Sequence, residues 1–363
     1  MTLHWYFARK FLWTYLGISF VFVVLLGLID MVDELQDFPE LPVWDVAEIV
    51  LLNIPHANYE ILPLVMILAS VALFVRLARS SEMVVVRASG LSGIRGIGAP
   101  VLMAALVGLV SITLFNPMVA ASSKRYHDLV ASYRDDGTSI LALSSEGLWL
   151  RQGSARGQTV IHAVSASADV STLYEATFIS FSPEGEPIRR ISARRATLGI
   201  GQWELQDVKR WQLSDQINPE AGAERMDFLA VPSALTREGI VDSFGKPEYI
   251  PIWDLPRFIS QLEAAGFSAR RYAVWFQMEL ARPIFLMALV LIAAAFTLRH
   301  VRTTNTGVSV LIAIMLGFSL HYVRNFAQVL GENGQIPVIL AAWAPPVASL
   351  MLALGIVLHM EDG

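Results

Sequence analysis

FLWTYLGISFVFVVLLGLIDM, residues 11–31, carries a single charged side chain, Asp30. A helix rises about 1.5 Å per residue, so a run of this length covers the roughly 30 Å hydrocarbon core of a bilayer. Runs of the same kind recur at 54–75, 96–117, 274–298, 307–326 and 337–359. They stand three and three around residues 118–273, where apolar and polar residues alternate instead. The expected architecture is an α-helical integral membrane protein with six transmembrane helices and an inserted all-β domain. Its expected parts are residues 1–117 (three spans), 118–252 (the β domain with its connections) and 253–363 (a connecting helix and three spans).

Composition agrees: the chain is 54% hydrophobic and 16% charged, with a mean hydropathy of +0.51, whereas about a quarter of a soluble domain is charged. Arg9 and Lys10 precede the first run and no small-residue cleavage pattern follows it, so that run reads as a retained span. The segment 32–53, taken as a loop, holds Asp33, Glu34, Asp37, Glu40, Asp45 and Glu48 and no Lys or Arg. The loop after the second span holds Arg76, Arg79, Arg87 and Arg95, and the one after the fourth holds Arg299, His300 and Arg302. Basic residues in short loops mark the cytoplasmic side. Both termini are therefore expected in the cytoplasm and the large insert outside, which in a bacterium is the periplasm.

Within the insert, 147–151, 159–163, 177–181, 188–193 and 203–211 alternate, and turn signals such as Ser182-Pro183-Glu184-Gly185 separate them. Many short strands fit a sandwich, a jelly roll or an open barrel. Val160, Ile161, Phe178 and Phe181 are expected on the inner face, as core or as a lipid path. Residues 253–264 read as a short amphipathic helix leading to the fourth span.

Several chemistries are excluded. No G-x-x-x-x-G-K-[ST] loop is present, so the chain does not bind and hydrolyse ATP by that device. There is no cysteine, and the seven histidines lie at no ligand spacing. No serine sits in a nucleophile elbow. A net charge of −5 without a basic cluster disfavours nucleic acid.

The sharpest segment is RSSEMVVVRASGLS, residues 79–92. Ser80 or Ser81 can cap a short helix over about 80–90, Gly90 can end it, and Glu82 lies in the first turn, where the helix dipole favours an anion. Such a helix either lies in the membrane interface or plugs an acid and an apolar stripe into the groove of a nucleotide-hydrolysing partner.

The stretch from Ser81-Glu82-Met83-Val84-Val85 to Ala88-Ser89-Gly90-Leu91-Ser92 resembles the coupling-helix motif of the LptF/LptG family of lipopolysaccharide-export permeases. Gly266, Arg271-Tyr272, Pro283 and Ile336-Pro337 resemble its LptG branch. The resemblance implies a periplasmic β-jellyroll, a heterodimer with an LptF-like permease, and an LptB-like ATPase dimer that binds the ATP and Mg, with no cofactor in this chain. It further implies extraction of lipopolysaccharide from the inner membrane and its transfer to LptC/LptA-like jellyroll proteins. By motif position, Ser81, Glu82, Met83, Val84 and Arg87 would meet the ATPase. Against this stands a non-transporting scaffold whose β domain binds envelope proteins.

Charges within the spans are the remaining candidates. Glu279 and Arg282 are three apart, as are His321 and Arg324, the spacing of helical neighbours. Arg324 could hold a lipid phosphate through its fork of donors, snorkel to headgroups, or pair with Asp30. Phe22 and Phe318 are either helix packing or substrate path. Relatives of the LptG branch place lysines at the end of the first span, whereas this chain reads Asp30-Met31-Val32-Asp33-Glu34-Leu35-Gln36-Asp37, and only Asp33 keeps the pattern.

Overall fold

A computed structural model describes residues 2–80, 82, 93–134, 142–144, 147–154, 157–167, 171–183, 185–213, 220, 222–233, 235–236, 240, 246–264, 267–297 and 306–362. It separates into a helical unit (Met1–His127, Glu248–Trp253 and Arg270–Gly363) and a sheet unit (Asp128–Pro247 and Asp254–Ala269).

The helical unit contains six helices long and apolar enough to cross a membrane: Leu3–Asp37, Leu62–Arg79, Gly96–Val130, Arg270–Thr297, Thr306–Glu332 and Val338–His359. These are α1 (Thr2–Asp37), α3 (Leu62–Arg79), the continuous pair α4 (Gly93–Val110) and α5 (Asn116–Arg134), α7 (Arg270–Thr297), α8 (Thr306–Glu332) and α9 (Val338–Asp362). A π-helical turn, Ser111–Phe115, joins α4 to α5.

Segment 32–53 is not the loop its acidity suggests. α1 continues to Asp37, and a separate helix, α2 (Val43–Glu60), buries Val46, Ile49 and Val50 along one stripe. The second span consequently starts at Leu62 rather than near residue 54. The chain breaks at Ile61, two residues before Pro63. Proline lacks the N–H that would continue the helix but fits its first turn.

α7 is the hub, packing against α3, α4, α8 and α9. Of its most apolar stretch 72% is buried within the molecule, against 6% for α1 and 11% for α8, so those two helices present most of their surface outward. Helices packed in lipid gain little from apolar burial alone, and close approach at small residues matters more. A Cβ on Gly108 would lie 2.7 Å from Pro283 Cα, one on Gly317 2.9 Å from Ile67, and one on Gly331 2.5 Å from Ala341 Cβ. These glycines let α4 meet α7, α8 meet α3, and α8 meet α9.

The sheet unit has seven antiparallel strands in the order β1-β2-β3-β4-β5-β6-β7, where β1 is Ala142–Ser144, β2 Gly147–Ser154, β3 Gly157–Ala166, β4 Thr172–Phe181, β5 Pro187–Gly199, β6 Gln202–Gln212 and β7 Glu224–Pro232. Helix α6 (Leu255–Ala264) matches the expected amphipathic segment and belongs to this unit. Leu150, Ile161, Phe178 and Ile191 stand in register across β2–β5, all buried. The sheet rolls over this face: the Gln152 side chain of β2 donates to Pro232 O and accepts from Ser233 Oγ at the end of β7.

Val160 is corrected by this register. It pairs with Arg151 and Ile179, and adjacent residues of a strand point to opposite faces, so it cannot share the inner face with Ile161. Phe181, at the β-bulge of β4, is also only half-buried. Further along, the buried positions step by three residues instead of two in each of four strands: Ala163 to Ala166, Leu173 to Ala176, Ala193 to Ala196, and Leu205 to Val208. Glu175 and Asp207 at this level have left-handed backbones (φ 48° and 53°). A slip of one residue would turn a strand inside out. Taken together by neighbouring strands, it bends the sheet and keeps its inner face apolar.

Gly331→Val is expected to lower the stability of the helical unit by about 1–3 kcal/mol through overpacking, read as a lower melting temperature in detergent. Gly17→Ala, whose Cβ meets nothing within 4 Å, should leave it unchanged.

Candidate functional site

The helical unit encloses a cavity of about 290 Å³ between α2, α3, α5, α7 and α8. Behind its lining residues Tyr59 and Arg282 lies a buried charge. Glu279 of α7 is fully buried and spends both carboxylate oxygens there, accepting from Arg282 Nη2 on one and from the Tyr59 hydroxyl on the other. Arg282 also donates through Nη1 to the Tyr59 carbonyl (3.3 Å), and its guanidinium stacks 4.0 Å from the Tyr59 ring centre. The i,i+3 spacing on α7 brings acid and base together, and the break after α2 leaves Tyr59 in the last turn of its helix, against α7. Burying an ion pair is tolerable only when such additional bonds satisfy it.

Arg324 of α8 lines the same cavity and is 6% exposed. Among the described residues its one close partner is the Phe285 ring, 5.5 Å away, and its Nε has no hydrogen bond. It does not pair with Asp30, which accepts a hydrogen bond from Asn53 Nδ2 at 3.0 Å. His321 sits one turn earlier with its Nε2 beside Asn325 Nδ2 (3.2 Å). Across the cavity, His56 lies 3.5 Å from Glu248. Asp33 is exposed, and Phe22 and Phe318 are half-buried on the two outward-facing helices.

A second charged cluster forms where α1 meets the end of α3. Lys10 Nζ donates to both Glu82 oxygens (2.7 and 2.9 Å), Ser80 Oγ donates at 2.8 Å, and Tyr6 OH at 3.3 Å. Partial burial works to raise the Glu82 pKa, but the bonds from Lys10 and Ser80 outweigh it and hold the carboxyl below its ordinary value. The tie is therefore intact above the usual carboxylate range and is lost as pH falls through that lowered value. Ser81, Met83, Val84 and Arg87 lie outside the described residues, as do Gly90, Gly266 and the basic loop residues Arg299, His300 and Arg302.

Tyr59 and Trp275 on the cavity wall, and Lys10 at Glu82, were not singled out by the sequence. Lys10 registers there only as a topology charge, and its partner is 72 residues away.

Removing Glu279 alone would leave Arg282 as a buried uncompensated cation. Glu279→Leu is expected to cost about 3–5 kcal/mol of stability, and Glu279→Leu with Arg282→Met much less. Thermal unfolding in detergent measures both.

Comparison with known proteins adds the lineage. The sequence profile of the lipopolysaccharide export system permease LptF/LptG family matches residues 5–359. The chain is 21% identical over 360 residues to the lipopolysaccharide export system permease protein LptG of Haemophilus influenzae, covering 97% of this chain and 96% of that one. It is 22% identical over 374 residues to LptG of Escherichia coli strain K12, covering 98% and 97%. A match running from the first turns of α1 to the end of α9, through all six spans and the inserted sheet, leaves no part of the architecture outside it: the chain belongs to the LptF/LptG family of lipopolysaccharide export system permeases.

Proposed function

We propose that this chain is a permease subunit of an ATP-driven exporter that extracts lipopolysaccharide from the bacterial inner membrane and passes it to a periplasmic bridge of β-jellyroll proteins. The full-length family match carries this reading. Pulling acyl chains from a bilayer costs about 0.8 kcal/mol per CH₂. A chain without a phosphate-binding loop must take that energy from elsewhere, here an LptB-like ATPase dimer that binds ATP and Mg. An LptF-like permease completes the membrane heterodimer, and LptC/LptA-like proteins continue the path.

The positive-inside pattern supports cytoplasmic termini and a periplasmic sheet unit. α1 and α8, with little of their surface buried in the chain itself, suit the faces that meet lipid and the second permease, and Phe22 and Phe318 lie on them. In the sheet unit, the buried Phe178 belongs to the apolar interior that would receive acyl chains.

Glu82 and its neighbours Ser81, Met83, Val84 and Arg87 form the contact with the ATPase. Lys10 ties Glu82 to α1, so a displacement of the coupling segment acts directly on the outward-facing helix. ATP-driven extraction uses that connection.

Purification of the tagged chain from native membranes in mild detergent tests the reading. Mass spectrometry should find a P-loop ATPase, a second six-span permease and lipopolysaccharide in stoichiometric amounts, and recovery of envelope proteins without an ATPase would overturn it. Lys10→Met removes charge-assisted bonds worth about 1.5–3 kcal/mol. It is expected to lower lipopolysaccharide released per ATP hydrolysed about tenfold while the ATPase still copurifies, and Lys10→Arg should retain most of the coupling. Unchanged release per ATP in Lys10→Met would remove Lys10 from the path.

A further inference from the structure

We propose that the cavity between α2, α5, α7 and α8 is a phosphate-binding site, with Arg324 as the cation that receives the anion. A guanidinium buried in a membrane-spanning helix is costly unless it is matched by an opposite charge. The neighbouring Arg282 has its match, but Glu279 has both oxygens occupied by Arg282 and Tyr59 and makes no hydrogen bond or ion pair with Arg324, to which it adds only a longer-range attraction opposed by Arg282. Among the described residues no carboxylate pairs with Arg324, and only the Phe285 ring lies against it.

Among the described residues no acceptor on the wall is hydrogen-bonded to Arg324, although the wall carries the amide side chains of Asn116, Asn325 and Gln328. The wall's buried side-chain atoms without a partner include Arg324 Nε, Arg282 Nε and Trp275 Nε1, all N–H donors. His321 Nδ1 is also unpartnered and can donate in one tautomer. Buried polar groups are ordinarily hydrogen-bonded; these atoms are shielded from solvent behind the wall, and together they make the surroundings of Arg324 rich in donors, which favours a ligand that only accepts. The carboxylates on the lining are Glu60, which is exposed, and Glu248, which faces His56.

The ligand class follows from shape. At about 290 Å³ the cavity is far larger than the roughly 30 Å³ share of one water, so it is not built for a monatomic anion. Donors arriving from α7 and α8 in different directions suit a tetrahedral oxyanion, and the guanidinium fork matches two of its oxygens. A phosphate monoester on a lipid headgroup and free inorganic phosphate share this chemistry. The lipid source rests on the exporter reading and the site itself does not. In this chain the cationic group would thus lie inside the helix cluster rather than at the acidic end of α1.

The test uses the purified full-length complex in detergent, as wild type, Arg324→Met and Arg324→Lys. The two probes are inorganic phosphate, read by thermal shift, and lipopolysaccharide before and after phosphatase treatment, read by native mass spectrometry. Arg324→Met removes an unmatched buried charge, so the empty variant should melt no lower than wild type, and a lower melting point would show that Arg324 is already satisfied and overturn the proposal. Wild type should retain the phosphorylated lipid at least about tenfold better than the stripped lipid, equivalent to about 1.4 kcal/mol. Arg324→Met should abolish that preference and Arg324→Lys keep part of it. A thermal shift by inorganic phosphate that depends on Arg324, with the lipid preference unaffected by the variants, would assign the site to free phosphate. If no lipid is retained by wild type while the phosphate shift persists, the exporter reading fails and the site stands. Equal responses of wild type and Arg324→Met to both probes overturn the site.

Discussion

The pairing of Glu279 with Arg282 and Tyr59 is the interaction on which the helical unit turns. A charge in hydrocarbon is admitted only with its opposite at hand, and this one is placed in the most buried helix of the chain. The arrangement fixes more than the pair. Arg282 reaches the backbone carbonyl of Tyr59 as well as its ring, so the rotation of α7 and the end of α2 are set together. The apolar packing of α7 against α3, α4, α8 and α9 has no comparable directionality: Leu, Ala and Val faces fit at several rotations, whereas a carboxylate bonded to two specific donors fits at one.

That constraint also creates the cavity. With Glu279 committed to Arg282 and Tyr59, Arg324 of α8 has no carboxylate bonded to it among the described residues. A helix bundle stabilised only by packing would fill this volume with apolar side chains, since an empty polar cavity loses dispersion contacts as well as hydrogen bonds. Retaining Arg324, Trp275 and His321 around it is a cost to the empty protein, and a cost borne by a folded chain is intelligible when a bound group repays it.

What the sequence makes legible follows from which physical signals are local. Length and apolarity identify the six spans, because crossing a bilayer sets a threshold that any long run either meets or does not. The i,i+3 spacing of Glu279 and Arg282 is equally local. α2 is hidden by its own composition: Asp45 and Glu48 read as part of an acidic loop ending at residue 53 and Pro55 as part of the second span, while the stripe Val46, Ile49 and Val50 has the helical period throughout. In the sheet, alternation locates the strands and places Val160 on the face opposite its neighbour Ile161, but it does not reveal the shared slip at Glu175 and Asp207. The contacts that build the two charged clusters were invisible for a different reason. Tyr59 meets a residue 220 positions away and Lys10 one 72 positions away, and a single sequence carries no sign of such meetings.

The two clusters lie at opposite ends of one helix. Pro63, in the first turn of α3, lines the cavity, and Ser80, just past its last turn, holds Glu82. The 18 residues of α3 span about 27 Å at 1.5 Å each. α3 is well placed to act as a rod: most of its apolar stretch is buried, and in its first third Ile67 presses on the gap that Gly317 leaves in α8, the helix that carries Arg324. A helix packed this tightly cannot bend to absorb a displacement at one end, because close-packed interiors transmit strain rather than dissipate it. Force applied at the Glu82 end would therefore reach the cavity along two routes, through α3 to Pro63 and across Ile67 to α8. Lys10 supplies a third, to α1. α3 is thus the element that touches both charged clusters and joins them mechanically.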